Sequence, residues 1–213
     1  MAEQSTPQGW GKWSQLVLAS GNAGKLRELR ALLEPRGLRV RAQSDWQVPE
    51  ADEPFESFVE NALAKARHAS RYTGLPALAD DSGLCVQALG GAPGVHSARY
   101  ACEGPQSIRS DLENNRKLVE ALSGVIDRAA WFVSVVVLVR SPDDPMPLIA
   151  QGVWHGQVLD EPRGDGGFGY DPYFLVPSFQ LTAAQLSAEQ KNQFSHRAQA
   201  VRRLLEQIDA VAA

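Results

Sequence analysis

Near its start the chain changes hydrophobic period across a short glycine turn, and that junction restricts the fold more than any other feature. Gln15-Leu-Val-Leu-Ala-Ser20 is an apolar run of strand length, ended by Gly21-Asn22-Ala23-Gly24. Leu26, Leu29, Leu32 and Leu33 then recur at helical spacing, until Pro35 and Gly37 stop the pattern. A strand that feeds straight into an amphipathic helix belongs to folds in which helices cover a sheet.

The remaining periodicity extends this plan. Leu38 to Ala42 predicts a second strand and Ser57 to Tyr72 a helix, reached through the acidic loop Glu50-Ala51-Asp52-Glu53-Pro54. Ala77 to Asp80 predicts a short strand, with Asp81-Ser82-Gly83 reading as an Asx-type turn that closes it. A helix follows around Ser107 to Leu122. Trp131 to Arg140, rich in β-branched residues, is the clearest strand. Pro142 to Pro147 reads as a hairpin connection to a strand over Leu148 to Val158, and Tyr173 to Val176 as one more. Ser187-Ala-Glu-Gln190 has the capping-box pattern, and Ser195 stands as N-cap to a helix whose Ala198, Val201, Leu205 and Ile208 share a face. Early alternation with a hairpin in the middle predicts an α/β fold with a mixed sheet. The expected organisation is one domain over residues 15–211, preceded by a flexible tail over 1–14.

Composition narrows the partners. A net charge of -4 gives no basic surface for nucleic acid or an anionic membrane, which leaves a small anionic ligand held by local positive charge. The longest apolar run, Val135 to Val139, is far too short to span a bilayer, and Met1 to Gln15 lacks the apolar core of a secretory signal. Cys85 and Cys102 fit no disulfide framework or metal spacing, as expected of a cytoplasmic protein.

Four clusters carry chemistry. In Ser20-Gly21-Asn22-Ala23-Gly24-Lys25 the glycines admit a ligand to the backbone, while helix-start amides and Lys25 favour an anion. The spacing fails the Walker P-loop, because Gly21 and Gly24 are too close and Leu26 follows the lysine. In Asp80-Asp81 adjacent strand side chains face opposite ways, so the two carboxylates have different roles. Asp52, Glu53 and Asp81 together offer hard oxygen ligands of the kind Mg²⁺ takes. Gly166-Gly167-Phe168-Gly169-Tyr170-Asp171-Pro172 sets aromatic rings between glycines, suited to stacking on a base. Lys191 and Ser195-His196-Arg197, at a helix start, suit an anion or a carbonyl oxygen.

In this order and at these separations the clusters resemble the inosine/xanthosine triphosphate pyrophosphatase family. The resemblance runs through Leu18 to Lys25, Phe58 to Arg67, Ala79 to Leu84, Gly90 to Tyr100, Gly166 to Pro172 and Ser195 to Arg197. It implies an elongated, two-lobed α/β fold around a mixed sheet with a central substrate cleft. It also implies a homodimer, Mg²⁺ dependence, and hydrolysis of ITP, dITP or XTP to monophosphate and pyrophosphate, which cleanses the nucleotide pool. By position, the turn from Ser20 through Gly21, Asn22, Ala23 and Gly24 to Lys25 matches triphosphate contacts, with Lys191 assisting. Asp81 matches the general base and a metal neighbour, and Ser82 a substrate contact. Phe168, Gly169, Tyr170 and Asp171, with His196 and Arg197, match the base-recognition set. The chain has Asp52-Glu53-Pro54-Phe55 where the family usually reads Glu-Glu-Thr-Gly, which leaves open whether Asp52 or Glu53 holds the metal. His96 replaces a frequent tyrosine and Ala198 a glycine.

Overall fold

The structure, a computed structural model, describes residues 15–104 and 107–212. The tail expected over 1–14 lies outside the described residues. Seven strands form one sheet in the order β2-β1-β3-β4-β5-β6-β7. They are β1 (Leu16–Ala19), β2 (Val40–Ala42), β3 (Ala77–Val86), β4 (Ala129–Val139), β5 (Leu148–Val158), β6 (Phe174–Val176) and β7 (Leu181–Thr182). Among the described residues five α-helices accompany them: α1 (Ala23–Leu33), α2 (Phe58–Thr73), α3 (Asp111–Ala121), α4 (Ala188–Phe194) and α5 (His196–Ala212). β1 pairs in parallel with β2 and β3, while β6 is antiparallel to both β5 and β7, so the sheet is mixed and the fold α/β as expected.

α1 and α2 begin where the sequence places them, whereas α3, expected from about Ser107, begins at Asp111. Asn22, Ser57 and Ser110 each accept a backbone N–H from the first turn of α1, α2 and α3. The capping box at Ser187 and Gln190 forms in full. Every residue of β4 from Phe132 onward is buried, whereas β5 alternates between buried and less buried positions along its whole length. β4 is therefore a central strand covered on both faces, and β5 shows one face to solvent.

One expectation is overturned. Asp81-Ser82-Gly83 is not a turn: β3 continues through it to Val86. The reason lies in groups distant in sequence. Leu84 N–H donates to Ser97 Oγ at 2.8 Å, Val86 N–H donates to Ala92 C=O at 3.1 Å, and Cys85 bridges Pro93. A Cβ on Gly83 would strike both Gly94 C=O and Ser97 Oγ, so this close approach requires glycine.

The chain divides into two compact units, each with its own core. The first runs to Asp81 and includes Val135–Gln151 and the chain from Ala200 onward. Its core packs Leu16 and Leu18 of β1, Leu29 and Leu33 of α1, Val136 and Leu138 of β4, and Val201, Leu204 and Ile208 of α5. The second comprises Ser82–Ser134 and Gly152–Gln199, and centres on Phe132, Trp154, Tyr170 and Phe174. Among the described residues no helix is long and apolar enough to cross a membrane.

In the first unit, Asp144 ties the β4–β5 connection together. Its buried carboxylate accepts Arg140 Nη2 at 2.6 Å, Arg140 Nε at 3.0 Å and Met146 N–H at 3.0 Å. Its own carbonyl accepts Arg67 Nη2 from α2 at 3.4 Å. Burial works to raise the Asp144 pKa, but these donors outweigh it and hold the carboxyl below the usual carboxylate range. Asp144→Ala is expected to cost about 2 to 3 kcal/mol at neutral pH. Because the folded pKa is depressed, this contribution is complete above the ordinary carboxylate range and is lost as pH falls through the folded value. Denaturant titrations of both proteins at neutral and strongly acidic pH check this: the stability gap closes in acid, and a pH-independent gap contradicts it.

Candidate active site

The glycine turn after β1 folds as an anchored helix start. Asn22 Oδ1 accepts the Lys25 N–H at 3.0 Å, and Ser20 Oγ accepts the Asn22 N–H at 3.2 Å. The Asn22 carboxamide oxygen therefore acts as the α1 cap, and the first amides of α1 supply the anion-attracting end. Gly21 brings the backbone close to Glu50, whose Oε1 would lie 2.7 Å from a Cβ at this position. Lys25 extends from α1 to Asp80, with Nζ and Oδ2 3.1 Å apart.

The next residue of β3 takes a different partner, as strand alternation requires. Asp81 Oδ1 accepts Lys65 Nζ of α2 at 2.7 Å, and the same ammonium lies 3.5 Å from Glu53 Oε1. Asp81 Oδ2 is buried and has no hydrogen-bond partner among the described residues. Burial pushes the Asp81 carboxyl above its ordinary value, while Lys65 and then Lys25 pull it back. Of the three carboxylates expected around a metal, Asp81 and Glu53 share Lys65, whereas Asp52 is exposed. Among the described residues no group of three metal-capable side chains exists.

The remaining sequence-derived residues gather in the second unit. Ser82 Oγ accepts Arg197 Nη2 at 2.9 Å, and Arg197 is 2% exposed although it opens a helix. The Phe168 ring centroid lies 5.9 Å from Arg197 Cζ and 5.7 Å from Lys191 Nζ, so its face meets two cations. Lys191 Nζ donates to Asp171 Oδ2 at 2.8 Å, and the Phe168 N–H donates to the same oxygen at 3.0 Å. Asp171 thus holds both the loop and the lysine. His196 is buried, its ring stacked on Phe132 with centroids 4.8 Å apart and an angle of 15°. Tyr170 donates its hydroxyl to Ser97 C=O at 2.8 Å, and burial raises its pKa.

Two residues emerge that the sequence did not single out. Lys65 has the appearance of a solvated helix lysine, and only its tertiary position beside Asp81 reveals its role. Glu50 lies in the acidic loop that drew attention to Asp52 and Glu53. The tight fit at Gly21 distinguishes it, which a single sequence cannot register.

Comparison with known proteins adds an independent line. A model of the Ham1 family matches residues 16–207. The chain is 60% identical over 196 residues to a dITP/XTP pyrophosphatase of Bordetella pertussis, covering 92% of each chain. It is 57% identical to a dITP/XTP pyrophosphatase of Chromobacterium violaceum, covering 94% of this chain and all of the relative. A solved HAM1 protein from Coxiella burnetii superposes with a TM-score of 0.83 at 48% identity, covering 93% of this chain and all of that one.

The Lys65–Asp81 pair yields a direct test in metal-free protein. Lys65→Met removes the largest charge that opposes burial, so the Asp81 carboxyl titrates at a still higher pH than in the wild type. The ¹³C shift of that carboxyl reports the midpoint. An unchanged midpoint removes Lys65 as the controlling charge.

Proposed function

The chain belongs to the Ham1 family, and from that premise we propose that it hydrolyses non-standard purine nucleoside triphosphates, ITP, dITP and XTP, to monophosphate and pyrophosphate. The reading includes Mg²⁺ dependence, a homodimeric state and a cytoplasmic location. The observation that carries it is the buried Asp81 carboxylate, held by one oxygen on Lys65 with its other oxygen unbonded.

The residues present suit a hard cation. Asp81 Oδ2 is an unpartnered buried acceptor, and Glu50 sets a carboxylate against the Gly21 turn. Glu53 shares Lys65 with Asp81, and Asp52 is the exposed member of the acidic loop. Two carboxylates completed by phosphate oxygens and water match the way Mg²⁺ is commonly held. Bound there, Mg²⁺ supplies charge neutralisation for the triphosphate and its leaving group.

The first α1 amides, Ser20, Asn22 and Lys25 hold the triphosphate, with Lys191 assisting. Asp81 orients a water toward the α-phosphorus and accepts its proton. A new P–O bond forms from that water as the bond from the α-phosphorus to the bridging oxygen breaks. The electron pair leaves on pyrophosphate, whose charge Lys25 and Lys65 offset.

Selection of the base follows from donor polarity. Arg197, together with the amides that open α5 around His196, offers donors to a 6-oxo group, while Phe168 offers a ring face. Adenine presents an amino group there and leaves buried donors unmatched, a mismatch able to support discrimination of about 10⁴. Tyr170 and Asp171 hold the loop that carries Phe168.

A Mg²⁺-dependent panel of ITP, XTP, dITP, GTP and ATP tests this reading. Monophosphate and pyrophosphate are expected from the first three, with ATP and GTP largely spared. Comparable rates on all five contradict the base-selection argument. Asp81→Asn is expected to lower ITP turnover at least about a hundredfold with nucleotide binding retained. Near-normal turnover removes Asp81 from the chemistry.

A further inference from the structure

Phe168 stands between two glycines of left-handed backbone, Gly167 at φ 75° and Gly169 at φ 62°. Such flanks give a loop little stiffness of its own, since glycine crosses readily between backbone regions. Each flank is held from outside. On one side the Asp171 carboxylate fills the space a Gly167 side chain would occupy and takes the Phe168 N–H. On the other, both polar groups of Gly169 are taken by α3. Asp111 Oδ2 accepts the Gly169 N–H at 2.7 Å, and Asn115 Nδ2 donates to the Gly169 carbonyl at 2.9 Å.

Asn115 reveals that this arrangement has a cost. Its Nδ2 gives its second hydrogen to Asp111 C=O at 2.8 Å, while its Oδ1 is buried with no partner among the described residues. Flipping the amide would set Oδ1 against two carbonyls, so the orientation is dictated by the two donations. An orphaned acceptor is a standing penalty. A leucine would fill the same space without it, and what the asparagine adds is the grip on Gly169. The neighbouring Asn114 ties down a second loop in the same way, donating to Ala98 C=O at 3.2 Å and accepting Ala101 N–H at 2.8 Å. Tyr170 then joins the two held loops through Ser97.

We propose that Asp111 and Asn115 are positioning residues for purine recognition, clamping Gly169 so that the Phe168 ring stays where it can meet the base. The inference rests on the function proposed above. Neither residue touches phosphate or the reacting atoms, so the clamp acts on base affinity and leaves the phosphoryl step alone. Of the two, Asp111 is the cleaner site to probe because it is exposed and contributes little to the core.

The experiment compares wild type with Asp111→Ala, Asp111→Asn and Asn115→Leu. Its readouts are ITP and ATP kinetics, IMP and AMP affinity by calorimetry, and hydrogen exchange of the Gly169 amide. For Asp111→Ala the KM for ITP and the Kd for IMP are expected to rise about tenfold, with kcat within about twofold, as the loss of one charge-assisted hydrogen bond implies. AMP affinity falls by a similar factor, because the ring face meets either purine, and the Gly169 amide exchanges faster. Asp111→Asn retains an oxygen acceptor and restores all of these. Asn115→Leu shifts KM in the same direction without lowering thermal stability. Unchanged KM and Kd in Asp111→Ala overturn the proposal. So does a fall in kcat and melting temperature that leaves IMP and AMP affinity intact, which marks a purely structural role. If the wild type hydrolyses no triphosphate, the function proposed above fails, and the IMP and AMP affinities with Gly169 exchange still decide the clamp.

Discussion

Neighbouring carboxylates of β3 each hold a lysine, and most of the chemistry proposed for the first unit follows from that. Asp80 takes Lys25 and Asp81 takes Lys65, while in the second unit the next residue, Ser82, takes Arg197. Asp80 and Asp81 are almost wholly buried, and burying an ionised carboxylate is tolerable only with a charge and hydrogen bonds to meet it. A strand supplies the necessary divergence, since successive side chains leave on opposite faces and reach lysines on different helices. The glycine that follows lets β3 run close under Gly94 and Ser97, which keeps these three residues extended.

Asp81 is paired through one oxygen. Oδ1 meets Lys65 and Oδ2 meets no partner among the described residues, while burial lifts its pKa against the pull of two lysines. Carboxylates in this condition are more often functional than structural, because a purely structural one gains from satisfying both oxygens. Asp144 is the contrast within the same unit. It is equally buried, but four donors surround it and its pKa is depressed. The two aspartates show how environment separates a carboxylate with an open acceptor from a structural tie.

Much of the fold is legible in the residues, and the failures have a common cause. β5 begins and ends where its pattern predicts, and α2 starts after Ser57, because alternation and caps are local signals. β3 outruns its pattern because the groups that pair its second half, Ser97, Ala92 and Pro93, lie beyond a loop. β7 spans only Leu181–Thr182, too few residues to show a period. In the site, Asp81, Lys25 and Arg197 stand out as charged residues beside glycine turns or helix starts. Lys65 and Glu50 do not, since a lysine on a helix and a glutamate in an acidic loop are ordinary until tertiary contacts give them partners. Asp171 and His196, expected as base contacts, also act within their own unit, on Lys191 and Phe132.

The claim on which the account depends is that water guided by Asp81 attacks the α-phosphorus. Hydrolysis of ITP in ¹⁸O-labelled water, with mass analysis of both products, tests it most directly. The account predicts that label enters the inosine monophosphate and that pyrophosphate carries none. Label in the pyrophosphate would place the attack on the β-phosphorus and contradict the mechanism.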